Sequence, residues 1–394
     1  MRYCSIIVCD KYSFLAKMPN KMYNIFIHLR RVHMATKTRN NLVELARFLF
    51  SLLVVGYHIQ MTWAGDGLQF FAGGALAVEF FFLVSGYFLA RSIEKINATE
   101  QYKLLPETGR FLWGKIKSIL PVHIVAVIAV IVVILSTKLG ESGDILVKGI
   151  PSIFLVQMAV VWDGSFANAL IVPEWYLSAM LITMLLMVPI ALLLRKKIKG
   201  VFTTLVLVGL IIVALVICGL ATQWAMPQNF VYDLRAWGEM CVGMFAYYLA
   251  TFIGKKELKQ SANKALPIIE IVLYSIPLIL GFIPFPADYA YITMIVAVVC
   301  VFGAITITFS GKGLQIKNAR LNAVFGYFGG ISLAIYLFHP VLISIFEYGQ
   351  IGLPFWAYHL IIFSTSLCAA ILYDIAKRAI AKGYAKFKAP KRTV

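Results

Sequence analysis

The chain has 394 residues, 61% hydrophobic and 14% charged, against about 45–50% and about 25% in ordinary soluble domains. Lys and Arg number 36 against 18 Asp and Glu, a formal net charge of +18. A water-soluble fold of this size cannot hide so much apolar side chain. Lipid is therefore part of the solvent, which excludes a cytosolic enzyme, a secreted disulfide scaffold and a disordered chain.

Residues 1–33 hold short apolar bursts, Ile6–Val8 and Ile25–Ile27, broken by Lys17, Pro19, Lys21 and Arg30–Arg31. They form neither a signal peptide with a small-residue cleavage site nor a full span. Met34 opens MATKTRNNLVELARF, a basic lead-in to the first long apolar run. The expectation is that Met34 is the true start, or that 1–33 is a peripheral basic arm. Ten runs approach the about 20 apolar residues a span needs: 42–62, 71–90, 118–136, 173–194, 201–221, 235–253, 267–285, 289–309, 326–347 and 355–376. The apolar stretch 150–162, at 13 residues, is too short and reads as re-entrant or interfacial. The six cysteines form no CxxC pair, and four lie within apolar runs, so they read as small buried hydrophobes rather than metal ligands or disulfides.

Charge sets the orientation. With ten spans and the N-terminus inside, 32 of the 36 Lys and Arg fall in cytoplasmic segments. Lys138 and Lys148 fall outside, and Arg47 and Arg235 lie in or at the edge of spans. The positive-inside rule expects such a split. Counting 150–162 as an eleventh span would put RKKIK, GKKELK and the basic C-terminus outside. The expected fold class is an all-α polytopic transmembrane bundle of about ten spans with both termini cytoplasmic. It divides into a basic arm at 1–41, a membrane domain at 42–376 and a basic tail at 377–394. With no internal repeat and no soluble catalytic domain, any chemistry belongs among the helices or on short loops.

Ionisable groups within spans are costly, so they are candidate functional residues. Arg47 and His58 are eleven residues apart, about three turns plus ~20° of helix, so they share one face about 16 Å apart along the axis. Glu44 lies three residues before Arg47 and is placed to pair with it. Glu79 stands among Val78, Phe80, Phe81 and Phe82, where a carboxylate needs a partner; His58 or a Lys or Arg from another span are candidates. Ser85-Gly86 reads as a point of close helix approach. Segment 91–117 carries Arg91, Lys95, Lys103, Arg110, Lys115 and Lys117. These residues serve topology and anionic lipid, or hold a polyanion presented from the cytoplasm, or both. No P-loop and no GxGxxG is present, so a nucleotide-bearing thioester fits better than a nucleoside triphosphate. Glu174 and Trp175 open the fourth span at its outer side, Arg235 and Glu239 are spaced for a local pair, and His339-Pro340 sits within the ninth span. His123 and His359 have no comparable company and read as structural.

These residues resemble the acyltransferase 3 family of bacterial membrane acyltransferases. ELARFLFSLLVVGYH is similar to the family's opening block, an Arg followed eleven residues later by a His. AVEFFFLVSGYFLAR is similar to its second-span block, with Glu79 where an Asp is usual. RFLWGKIKSILP, WYLSAM, RAWGEMCVG and ISLAIYLFHP follow in the family's order across most of 40–345. Two departures stand out. The basic block has Lys115 and Ser118 where two arginines are usual, and Lys lacks Arg's bidentate grip on phosphate. Met180 stands where a Glu often follows the Trp by five residues.

The resemblance implies a multi-pass protein of the bacterial cell membrane. It implies transfer of an acyl group, commonly acetyl, from cytoplasmic acyl-CoA, a donor cosubstrate rather than a resident cofactor, to an extracytoplasmic glycan or lipid-linked sugar. Under it, His58 is the general base, Arg47 steadies the donor's anionic part or a developing oxyanion, and Glu79 orients His58. Arg91, Arg110 and Lys115 hold CoA phosphates, and Glu174, Trp175 and His339 shape the acceptor side. No metal and no nucleic acid is called for. Two other readings use the same residues. One is a conduit that hands the acyl group to a separate transferase; the other is a transporter in which Arg47, His58 and Glu79 relay protons.

Overall fold

The computed structural model describes residues 41–63, 69–99, 102–159, 169–222 and 228–388. The N-terminal arm, and with it the choice of start at Met34, lies outside the described residues, as do 160–162 of the short apolar stretch and the last six residues of the tail. Among the described residues every regular element is helical, so the all-α polytopic class expected from composition is the one observed.

Among the described residues twelve α-helices follow in order. They are α1 (Asn41–Trp63), α2 (Ala77–Asn97), α3 (Leu104–Thr137), the short α4 (Ser142–Lys148) and α5 (Ile150–Ile153), and α6 (Trp175–Arg195). Then come α7 (Gly200–Thr222), α8 (Gln228–Gly254), α9 (Gln260–Phe282), α10 (Ala290–Ser310), α11 (Ala319–Tyr348) and α12 (Phe355–Lys388). Nine of the described helices are long and apolar enough to cross a membrane. The remaining expected span, 235–253, is a helix, α8, 27 residues long, but it falls short of that apolarity. Asp233, Arg235 and Glu239 occupy its first turns. The stretch at 150–162 makes no span: α5 is a single turn, and Leu155 adopts a positive φ of 56° just after it.

Two helices run past the expected span limits. α3 has 34 residues, about 50 Å at about 1.5 Å per residue, well beyond a hydrocarbon core of about 30 Å. The basic block around Arg110 and Lys115 is thus the first half of the third helix rather than a loop. α12 likewise continues through Lys377 and Arg378 to Lys388, so the basic tail expected to begin at 377 is a helical extension of the last span.

Lipid tails are as apolar as Leu, so helices in a bilayer associate through close packing at small residues rather than through hydrophobic burial. The two most extensive helix contacts are α2 with α8 and α1 with α11. Both cross at glycines. A Cβ on Gly86 would strike the Met240 backbone, one on Gly243 the Leu83 backbone, and one on Gly329 the backbone and side chain of Glu44. The crossings therefore close to backbone distance. Phe50 and Phe80, both fully buried, stack 4.6 Å apart and join the α1 and α2 halves of the core.

Candidate functional site

One end of the bundle holds a cavity of about 520 Å³. Its walls come from the C-terminal part of α1 (Val54, Tyr57, His58, Met61, Thr62), the start of α2 and its approach (Gly74, Ala75, Val78), the start of α6 and the segment ahead of it (Ala169, Leu170, Val172, Pro173, Trp175), the start of α8 (Tyr232, Arg235) and the C-terminal part of α11 (Pro340, Ile343, Ser344, Glu347, Tyr348). The rings of Tyr57, His58, Trp175, Tyr232 and Tyr348 are among them. Trp175 packs on Tyr232 with ring centroids 4.6 Å apart, and Tyr57 meets His58 edge-on at 5.4 Å. Glu347 at the exposed end of α11 and Arg235 on α8 bring opposite charges to the same space.

His58 is half-buried on this wall. Its Nδ1 lies 2.9 Å from the Val54 carbonyl oxygen, which only accepts, so Nδ1 carries the proton. Nε2 of His339 approaches the same Nδ1 at 3.3 Å and so presents its lone pair to it. His339 is fully buried, and its other polar neighbours are the carbonyls of Ile335 and Tyr336. The Tyr336 carbonyl is free of the helical ladder because Pro340, four residues on, brings no N–H. The Val54 carbonyl thus fixes the His58 tautomer, and His58 Nε2 is left as an unprotonated acceptor without a hydrogen-bond partner among the described residues.

Glu79 does not reach His58. It is fully buried and takes a hydrogen bond from Arg235 Nη2 across the α2–α8 crossing. Arg235 Nε donates to Glu239 Oε1 at 2.8 Å, the local pair expected from their spacing. The group orienting His58 is His339, 281 positions away in the chain. Glu174 is also fully buried, and turns from the cavity to His123, whose Nδ1 lies 2.7 Å from its Oε1; His123 Nε2 lies 3.0 Å from the Ile153 carbonyl. His123 therefore ties the start of α6 to α5. Tyr336 donates to the adjacent Pro173 carbonyl. Of the acceptor-side residues expected from the sequence, Trp175 lines the cavity, His339 backs His58, and Glu174 braces the wall from behind.

Arg47 pairs with Glu44 at 3.1 Å, as their spacing suggests. It also lies within electrostatic reach of Lys115 on α3 and Tyr176 on α6. It sits about 16 Å along α1 from His58, so one reacting carbonyl cannot touch both. Arg110 is exposed and paired with Glu107 one turn before it, and exposed Arg91 faces Tyr87 and Tyr247. These cations occupy the opposite end of the bundle from the cavity. Between the two ends, Ser85 Oγ lies 3.2 Å from Tyr176 Oη and donates to Met180 Sδ at 3.4 Å. The thioether thus serves as a weak neutral acceptor where the resembling family often has a carboxylate. Among the described residues no group of three or more His, Cys, Asp or Glu is placed to hold a metal ion.

The residue that spacing failed to bring to the site is Arg235. Its sequence signal was confined to Glu239 one turn away, and nothing in the order of residues says which face of α8 meets α2.

Comparison with known proteins accords with this arrangement. A model of the acyltransferase 3 family, described as an acyltransferase domain, matches residues 40–374, nearly the whole chain. No curated protein and no solved structure gives a significant match. The matched region contains every helix that shapes the cavity and the basic end, and the chain belongs to the acyltransferase 3 family of membrane acyltransferases.

Proposed function

We propose that the protein moves an acyl group, commonly acetyl, from cytoplasmic acyl-CoA to a hydroxyl of a glycan or lipid-linked sugar on the far side of a bacterial cell membrane. The reading rests above all on His58 Nε2, an unprotonated imidazole nitrogen on the wall of a cavity large enough for a sugar ring and a thioester. The distribution of Lys and Arg supports cytoplasmic termini, an orientation in which the cavity opens outward and the basic end faces the donor pool.

The acceptor hydroxyl gives its proton to His58 Nε2 as its oxygen attacks the thioester carbonyl carbon. When the C–S bond breaks, the imidazolium returns that proton to the leaving thiolate. His339 holds the productive tautomer. The aromatic faces of Trp175, Tyr232 and Tyr57 offer the apolar side of a sugar a place to stack. Arg47 and Lys115 take the anionic donor at the cytoplasmic end, with Arg91 and Arg110 adding to the attraction for CoA phosphates. Arg47 stands too far from His58 to serve the carbonyl as well.

The direct test is release of free thiol from acetyl-CoA by the purified protein in lipid nanodiscs, with and without a hydroxylated glycan. Glycan-dependent release is expected; solute movement without thioester consumption would remove the acyltransfer reading. Within that assay, Lys115→Ala is expected to raise the apparent KM for acetyl-CoA about three- to tenfold with kcat little changed. That is the signature of lost uniform binding. An unchanged KM would leave Lys115 as a topology signal only.

A further inference from the structure

We propose that Arg235 is a catalytic residue that donates to the thioester carbonyl oxygen as it becomes an oxyanion, facing His58 across the cavity. The inference rests on the acyltransfer reading above and names a group for a task that Arg47 stands too far away to perform.

Arginine carries five N–H donors on a rigid planar fork. In Arg235 Nε is taken by Glu239 and Nη2 by Glu79. Among the described residues Nη1 has no hydrogen-bond partner, while the side chain forms part of the cavity wall. Glu239 and Glu79 therefore hold the guanidinium at Nε and Nη2, and both N–H groups of Nη1 are uncommitted. Trp175 supports it from one side, with Cζ 5.9 Å from the ring centroid. Tyr57, the immediate neighbour of His58, lies within electrostatic reach of it. A donor clamped in this way needs no reorganisation when charge develops, the property that makes preorganised donors effective in acyl transfer.

The step balances as follows. The acceptor O–H oxygen forms a bond to the carbonyl carbon, and the C=O π pair moves onto the carbonyl oxygen beside Arg235. The hydroxyl proton goes to His58 Nε2. Collapse re-forms C=O, breaks C–S and sends the proton from His58 to the thiolate. Glu79 and Glu239 are positioning residues in this scheme, because each acts through its hydrogen bond from Arg235.

The test compares kcat and KM for acetyl-CoA in wild type, Arg235→Gln and Arg235→Lys, each reconstituted in nanodiscs and checked for a single symmetric elution peak. Arg235→Gln is expected to lower kcat about 10²–10³-fold, as loss of one oxyanion donor does elsewhere, with KM changed by less than about threefold. Arg235→Lys, which keeps charge but not the fork, should fall between. Added guanidinium should restore part of the rate to Arg235→Ala. If wild type turns over and Arg235→Gln keeps kcat within about threefold, the inference is overturned while the acyltransfer reading stands. If Arg235→Gln does not elute as a single peak, Arg235→Lys decides, and a wild-type kcat there overturns the inference. If wild type consumes no acetyl-CoA with any hydroxylated acceptor, it is the functional reading that fails.

Discussion

Replacing His58 with Ala is expected to lower acyl transfer by about 10²–10⁴-fold, the usual contribution of a positioned general base. The thermal midpoint of the purified protein should stay close to that of wild type. The side chain is half-buried and faces a cavity, and its only backbone contact is the Val54 carbonyl, which also sits within the helical ladder of α1. Removing the ring therefore leaves no sealed void; the polar loss is at the buried His339 Nε2, whose Nδ1–H partner goes with it, a cost of about 1–3 kcal/mol. His339→Phe extends the test. It keeps a ring between α1 and α11 but removes the Nε2 lone pair 3.3 Å from His58 Nδ1. A loss of about tenfold is expected, the equivalent of about one hydrogen bond. Thiol release from acyl-CoA under saturating acceptor measures both. Full activity in His58→Ala would show that another group takes the proton.

The second large effect is on folding. Gly243→Leu is expected to cost about 3 kcal/mol or more, seen as a lower thermal midpoint and poor recovery of monodisperse protein. A Cβ at Gly243 would meet the Leu83 carbonyl and the Tyr87 amide nitrogen. Backbone atoms in the middle of a helix have no rotamer with which to yield, so α2 and α8 must part. Gly109→Leu on α3 serves as the control, because nothing lies within 4 Å of its Cβ position. A Gly243→Leu protein that melts with wild type would mean that the crossing is looser than described. The same substitution also separates Glu79 from Arg235, so lost activity in any folded fraction is expected.

The bundle was largely legible in the sequence because hydropathy is a local property and a span must satisfy its own backbone hydrogen bonds. Ten apolar runs mark ten helices. Their ends were less legible. Polar residues continue a helix as readily as apolar ones once it leaves the lipid, which is why α3 begins at Leu104 and α12 runs to Lys388. The candidate site was legible only along single helices. The eleven-residue spacing gives the common face of Arg47 and His58, three residues give the Glu44 pair, and four give Arg235 with Glu239. Contacts between helices were not legible. His58 with His339, Glu79 with Arg235 and His123 with Glu174 depend on which helices cross and at what height, and periodicity carries no such information. Glu79 shows the consequence: a buried carboxylate demanded a partner, and choosing between His58 and a distant arginine required the α2–α8 crossing.

The glycine crossings divide the groups of the proposed site into two sets. His58 and His339 ride on the α1–α11 pair, and Arg235 and Glu79 on the α2–α8 pair. Each pair is closed to backbone distance, so neither can stretch internally. The span from imidazole to guanidinium is then a property of the seam between the pairs, where Phe50 stacks on Phe80 with the rings only 14° from parallel. The seam lies outside the cavity wall, yet under the proposed mechanism ring thickness there would set the gap between imidazole and guanidinium much as a shim sets the gap between two machined blocks.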